Sequence, residues 1–432
     1  MSEGRTKLSP AVIVTVLAFL IAAVFVVQQS RIESGSGNEI KIGFAGALSG
    51  PNAFLGQEIT RGAEIAISEI NANGGVLGQE LRLVVRDDEH TPAKTIGLYR
   101  ELVEREGVVA MLGATNSAAM LGVVPQVNDT YHIPVICPAT DATDITENTA
   151  AAEGRPNYIF RVGMYGSGQA NFMVDTALDK FGFDRIALLT WSGGWGTTGR
   201  GELLRRLAER GIEPVADETY SAEDSDFSPQ LLRIRESGAE VILNYGLVAD
   251  NAKIMDARQQ LSNTTPYFSA WGVAGRAFAD AAGSSAEGVL ISTTVTIDGP
   301  QSNRRQAFIQ SYKDAFQEDL KAPVFAVGAY DAIYMIAASI ESTGTTDGEQ
   351  LRIALEQLPD FAGLVKEFDR PPFSTERHNS MAEEDMLVTR MSNGELLLVN
   401  FDETGPFVED SAGTAFRLNK SNMSLIQDIA RQ

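Results

Sequence analysis

The sequence predicts an α/β protein built as two doubly wound, Rossmann-like lobes. Three observations predict it. From Ile40 onward, short β-rich runs alternate with longer amphipathic stretches. The alternation completes a β-α-β-α-β cycle by residue 139 and starts again around NYIFRVG, residues 157–163. Such alternation builds parallel sheets covered by helices, with ligands at the strand C-termini. The length of 432 residues also exceeds one ordinary core, so two or three domains are expected.

The elements follow in order. IKIGFAG (40–46) is a strand and LGQEITRGAEIAISEINANGG (55–75) a helix. Ile59, Ala63, Ala66, Ile67 and Ile70 recur at helical spacing, and Gly74-Gly75 ends the run. ELRLVVRDD (80–88) is a strand, PAKTIGLYRELVERE (92–106) a helix and GVVAMLGA (107–114) a strand. A helix from Ser117 to about Asn128 leads to strand HIPVICPA (132–139). Asp87-Asp88 at a strand end read as loop and N-cap structure. In the second cycle the helices are GQANFMVDTALDKFG, TGRGELLRRLAERG, SPQLLRIRESG and ADNAKIMDARQQLS. The strands are RIALLT, EPVADETY, EVILNYG (240–246), PYFSAWG and EGVLISTTV (287–295). Helical text covers 303–319 and 327–342, and MLVTRMSNGELLLVN (386–400) carries the Asn-Gly signal of a hairpin.

Composition excludes several function classes. Lys+Arg 35 against Asp+Glu 57 gives a net charge of −22, a field that repels nucleic acid and anionic lipid heads. A single cysteine, Cys137, excludes an intramolecular disulfide and any multi-thiolate metal site, and its surroundings, IPVICPA, read as a buried strand. His90, His132 and His378 lie far apart, in no metal-ligand spacing. No G-x-S-x-G and no P-loop lysine pattern occurs, so neither a cofactor, a metal nor an enzyme activity is expected. Asn128, Asn263 and Asn422 open glycosylation sequons by pattern only.

Residues 11–27, AVIVTVLAFLIAAVFVV, are apolar apart from one threonine and follow Arg5 and Lys7. A helix of that length spans ~26 Å, near the lower limit for crossing a bilayer. VVQQSRIES offers a poor cleavage site, so an uncleaved anchor is expected, N-terminus inside, with 31–39 as tether. A cleaved signal peptide is the alternative. Either places residues 40–432 outside the cytoplasmic membrane, in the periplasm or at the cell surface.

WSGGWGTTGRG (191–201) contains a G-x-G-x-x-G at Gly194, Gly196 and Gly199, the pattern of a loop cradling a dinucleotide pyrophosphate. Here Trp191, Ser192 and Gly193 intervene between the strand end at Thr190 and the first glycine, whereas a dinucleotide fold starts its glycines almost at the strand end. The extracytoplasmic placement also separates the chain from the cytoplasmic NAD pool. The nucleotide reading is therefore set aside.

The opening text from IKIGFAGALSG to DDEHTPAKT resembles branched-chain amino-acid-type solute-binding proteins of ABC importers. MLGATNSAAM, IPVICPATDATDIT, FGFDRIALLTWSGGWGTTGRG, SDFSPQLLRIRESGAEVILNYG, SAEGVLISTTV and GAYDAIYMIAASIESTG extend the resemblance in order, over residues 39–400. It implies the type I periplasmic-binding fold, whose chain crosses between lobes three times, here near residues 160, 292 and 385. The expected division is an anchor and tether over 1–38, a first lobe of 39–160 with 293–384, and a second of 161–292 with 385–432. Lobe closure on a small molecule and delivery to permease subunits are implied, with the protein monomeric. A ligand-sensing receptor subunit of the same fold is the alternative function.

The resemblance also implies site residues. Ser117, at a helix start, falls where the family holds a ligand carboxylate, and a plain N-cap at Ser117 or Asn116 is the structural alternative. Ala139 and Asp141 fall where a backbone carbonyl and a small hydroxyl residue make contact. Phe54 and Leu55 lend an apolar wall. Trp195-Gly196 takes the place of an aromatic followed by glycine at the cleft. Trp271, after Phe268 at the end of PYFSAWG, stands where amino-acid binders commonly carry a glutamate. His378 falls in a structural loop. With that glutamate replaced and Asp141 gained, an amine, amide or amino acid set against Asp141 is the leading ligand class, and an aliphatic or aromatic carboxylate held by Ser117 is the other.

Overall fold

Two sheets carry the chain. The computed structural model describes residues 39–409, 414–419 and 422–423; the expected anchor at 11–27, the tether up to residue 38 and the end of the expected second lobe lie outside the described residues. The first sheet holds β1 (Ile40–Gly46), β2 (Leu81–Asp87), β3 (Ala110–Leu112), β4 (Val135–Cys137) and β5 (Ile159–Arg161). Its order is β2-β1-β3-β4-β5, and every neighbouring pair is parallel. The second holds β6 (Ile186–Trp191), β7 (Ala216–Tyr220), β8 (Val241–Tyr245), β9 (Tyr267–Ser269) and β10 (Leu290–Thr293), ordered β7-β6-β8-β9-β10 and again parallel. Each parallel sheet therefore reverses its winding beside its first strand, between β1 and β3 and between β6 and β8. Such switch points leave a crevice outside the strand C-termini.

Four antiparallel strands extend the second sheet: β11 (Leu387–Ser392), β12 (Glu395–Asp402), β13 (Gly405–Glu409) and β14 (Ala415–Arg417). The Asn-Gly hairpin lies where the sequence expects it. Asn393 and Gly394 join β11 to β12 with φ of 52° and 82°, the left-handed pair that a two-residue turn of matching twist demands. The strands β13 and β14 lie beyond the text that suggested structure.

Buried apolar text explains the layers. β1, with Ile42 and Phe44 fully buried, lies between β2 and β3 in the first sheet. The helix Pro323–Thr343 is nearly all apolar and packs along the helix Ala53–Ala72 and against β3 and β4. It is long and apolar enough to cross a membrane, yet its surface is buried in protein, so it is a core helix. Gly62 lets the two helices touch: a Cβ there would stand 2.0 Å from the Ala326 carbonyl oxygen. Cys137 is buried in β4, as its apolar surroundings predict.

The structure departs from the sequence reading at several elements. β3, β4 and β5 shrink to three residues each. Three helices relax at their ends into wide, π-type turns at Leu102–Glu106, Val127–Tyr131 and Thr176–Lys180. Trp271 leaves the strand and opens a short 3₁₀ turn, Trp271–Val273. The glycine stretch is not a loop: the helix Gly194–Glu209 starts at Gly194, so all three pattern glycines are helical. Packing accounts for two of them. A Cβ at Gly196 would lie 2.1 Å from the Trp191 carbonyl oxygen, and one at Gly199 2.1 Å from the Tyr245 ring. Asp87 and Asp88 hold loop amides, as read, but Thr91 takes the N-cap position of the helix Pro92–Glu101, without a side-chain cap hydrogen bond. His378 is structural: its ring stacks on Phe160 at 4.1 Å, and its nitrogens meet the Ile159 carbonyl and Glu356.

Candidate functional site

A narrow cavity of about 40 Å³ sits where the C-terminal ends of the two sheets face each other. The first sheet contributes Leu55 beyond β1, His90 beyond β2, Thr115, Asn116 and Ser117 beyond β3, and Ala139 beyond β4. The second contributes Trp191 at the end of β6, Trp195 in the helix after it, Leu247 beyond β8, and Trp271 with Gly272 beyond β9. Phe325, in the first turn of the helix Pro323–Thr343, completes the wall.

The wall is aromatic. All 3 tryptophans of the sequence line it. Trp271 packs on Phe325 with ring centroids 5.3 Å apart, and Trp195 stands 5.3 Å from Tyr245 behind it. Two glycines make room for these rings: a Cβ at Gly272 would lie 2.6 Å from the Trp195 ring, and one at Gly163 2.8 Å from Trp271. Such rings offer flat apolar faces to a planar or hydrophobic ligand.

The polar groups gather at one end. The helix Ser117–Gln126 points its N-terminus at the cavity, and its cap is Asn116. The Asn116 Oδ1 accepts from the amides of Ala118 at 2.8 Å and Ala119 at 3.2 Å. Because Asn116 does the capping, the Ser117 hydroxyl is free for other work on the cavity wall. The Thr115 hydroxyl accepts from the Ala47 amide at 3.0 Å and ties β3 to the loop after β1. His90 meets Asn116 at 3.2 Å through Nε2, and burial lowers its pKa. Among the described residues, no Asp, Glu, Lys or Arg lines the cavity. The field there comes from a helix N-terminus and neutral donors, a setting that favours an anion.

Of the residues expected at the site, Leu55, Ser117, Ala139, Trp195 and Trp271 meet on this wall. Phe54 is half-buried and packs into the core beside it, Gly196 sits behind Trp191, and Phe268 is fully buried. Asp141 stands off the wall, 1% exposed, close to the Trp195 side chain. Its Oδ2 has no partner among the described residues, and burial pushes its pKa up to about 6 against the pull of Trp195 and Arg161. His90, Thr115, Trp191, Leu247, Gly272 and Phe325 reach the wall without having been singled out as ligand contacts. Five of these, His90, Thr115, Trp191, Leu247 and Gly272, end or follow within three residues β2, β3, β6, β8 and β9, where such sheets bind ligands.

Comparison with known proteins gives a consistent result. A family model for periplasmic binding proteins matches residues 39–395. The Leu/Ile/Val-binding protein homolog 3 of Brucella melitensis is 25% identical over 312 residues, covering 72% of this chain and 80% of the relative. The branched-chain amino acid transporter substrate binding protein LivJ of Streptococcus pneumoniae, solved with isoleucine, superposes with a TM-score of 0.73 at 23% identity, covering 83% and 98% of the two chains. A solute binding protein of an ABC transporter from R. palustris, solved with benzoate, gives 0.69 at 21% identity, covering 88% and 98%. Likeness to these two structures is one of fold.

Proposed function

Since the chain belongs to the periplasmic binding protein family, we propose that it captures a small organic acid between its two sheets and presents it to the membrane subunits of an ABC importer. No bond is broken: the protein works by burying a solute, and closure marks the loaded form. The moving bodies are the lobes expected from the sequence, 39–160 with 293–384 and 161–292 with 385–432. Residues 11–27 hold the protein at the outer face of the cytoplasmic membrane.

One observation carries the choice of an acid. Among the described residues, the cavity wall joins three tryptophans to a helix N-terminus and the Ser117 hydroxyl, and it presents no carboxylate. A carboxylate set against the Ser117 hydroxyl gains a charge-assisted hydrogen bond and sits in the field of the helix N-terminus, while its apolar body lies between Trp195 and Trp271. The benzoate complex of the R. palustris protein supports this reading. An amino acid is the second reading, favoured by the name of the Brucella relative and the isoleucine bound to the Streptococcus protein. Its ammonium group would rely on the tryptophan faces, since Asp141 stands behind Trp195.

Calorimetric titration of the purified protein with benzoate, 3,4-dihydroxybenzoate, L-leucine and benzylamine separates the readings. Binding of an acid that lacks an amine is expected. Binding of L-leucine or benzylamine with no response to either acid would overturn the reading.

A further inference from the structure

The ring of His90 lines the cavity beside Asn116 and Ser117. Its backbone is unusual. Glu89 and His90 are consecutive residues with φ of 53° and 59°, in the left-handed region that few side chains enter. Two aspartates hold them there. The Asp87 Oδ1 accepts from the amides of Glu89 at 2.9 Å and Leu48 at 3.0 Å. The Asp88 Oδ1 accepts from the His90 amide at 2.8 Å, and its Oδ2 accepts from the Thr95 hydroxyl at 2.7 Å. The strained turn thus swings the imidazole from the end of β2 onto the cavity wall.

The helix cap then sets the ring's tautomer. Asn116 uses its Oδ1 on the Ala118 and Ala119 amides, so the group facing His90 is its Nδ2, which can only donate. At 3.2 Å the His90 Nε2 must accept, and this hydrogen-bond pattern assigns the ring proton to Nδ1. The Nδ1 is buried and has no partner among the described residues. A buried donor without an acceptor is costly, and ligand sites commonly hold such groups in readiness.

We propose that the His90 Nδ1–H is a ligand contact: it donates to an acceptor oxygen of the bound solute and, with Ser117, selects acids against amines. The assignment rests on the reading of the cavity as an acid site. The Ser117 hydroxyl takes one part of the carboxylate at the helix N-terminus, and His90 adds a neutral donor from a different strand end. An ammonium group at the same place would meet an N–H and be refused. The aspartate-held turn explains why a histidine sits in a backbone conformation that glycine would adopt more readily.

The test uses the full-length protein in mild detergent, titrated with benzoate and benzylamine, which share a ring and differ in the charged group. His90→Asn and His90→Gly both tolerate the left-handed backbone, so the loop is preserved, and thermal unfolding checks the fold of each. Wild type should bind benzoate and not benzylamine, and both variants should bind benzoate about tenfold to a hundredfold more weakly. Imidazole ¹⁵N spectra should show the Nδ1-protonated tautomer, with the Nδ1 signal moving on addition of benzoate. Equal benzoate affinity in wild type and both variants, or an Nε2-protonated ring, overturns the role of His90 and leaves the acid reading standing. A wild type that binds benzylamine, or neither probe, overturns the acid reading and takes this assignment with it.

Discussion

Replacing Asp141 with asparagine should make the protein more stable at neutral pH and change little near pH 4. The carboxyl is 1% exposed, its Oδ2 has no partner among the described residues, and the Trp195 side chain lies close by. Arg161 lies near enough to attract it, but that guanidinium is fully buried too, with Nε and Nη1 lacking partners among the described residues. Burial dominates and lifts the pKa from 3.8 to about 6. At ~1.4 kcal/mol per pH unit, that rise corresponds to roughly 3 kcal/mol. The folded-state pKa exceeds the unfolded one, so this contribution is fully present below pH 4 and is lost as pH climbs through about 6. Asparagine imitates the protonated carboxyl: it carries no charge into the buried site and keeps nearly the same shape, with its amide nitrogen in place of one oxygen. The stability gap between variant and wild type should therefore widen by roughly 3 kcal/mol from pH 4 to pH 7.5. Taking the difference cancels Asp331, which burial also raises to about 6. Urea unfolding followed by tryptophan fluorescence at half-unit pH steps measures it. A gap that stays constant with pH, or an asparagine variant that loses stability at pH 7.5, refutes the reasoning.

Three further outcomes are expected. Ser117→Ala should weaken benzoate binding by ~1.5–3 kcal/mol with the melting temperature unchanged, because Asn116 caps the helix without it; equal affinity by calorimetry would remove Ser117 from the site. Trp195→Ala with Trp271→Ala should abolish solute binding while circular dichroism stays native, and retained binding would move the site away from this cavity. Gly62→Ala should cost about 1–3 kcal/mol, read as a lower urea midpoint, since its Cβ would press on the Ala326 backbone at 2.0 Å; an unshifted midpoint would mean that the two helices part freely.

The alternation of β-rich and amphipathic text was enough to place both sheets. Apolar burial sets that rhythm, and each parallel strand needs a helix to return the chain. Strand limits were less legible: GVVAMLGA reads as eight β residues, but only Ala110–Leu112 pairs in register. At the site, Ser117 and Trp195 were legible because a helix start and an aromatic beside glycines stand out in text. Phe325 was not, because the helix around it is apolar on every side and only its docking turns that one ring toward the cavity.

Asp141 shows a sharper limit. Sequence places it two residues beyond Ala139, in the right loop, yet Ala139 reaches the wall and Asp141 lies a layer behind it, against Trp195 and Arg161. Direction, not position, separates a ligand contact from a buried support, and direction after a strand end is set by tertiary packing. The glycine pattern has the same ambiguity. Gly194, Gly196 and Gly199 satisfy a spacing made for phosphates, since any close approach asks for a missing Cβ. Two of the atoms approached here are a carbonyl of the same turn and the Tyr245 ring, so those glycines serve Trp191 and Trp195 rather than a nucleotide. The spacing records a need for room, and only the neighbour reveals what the room is for.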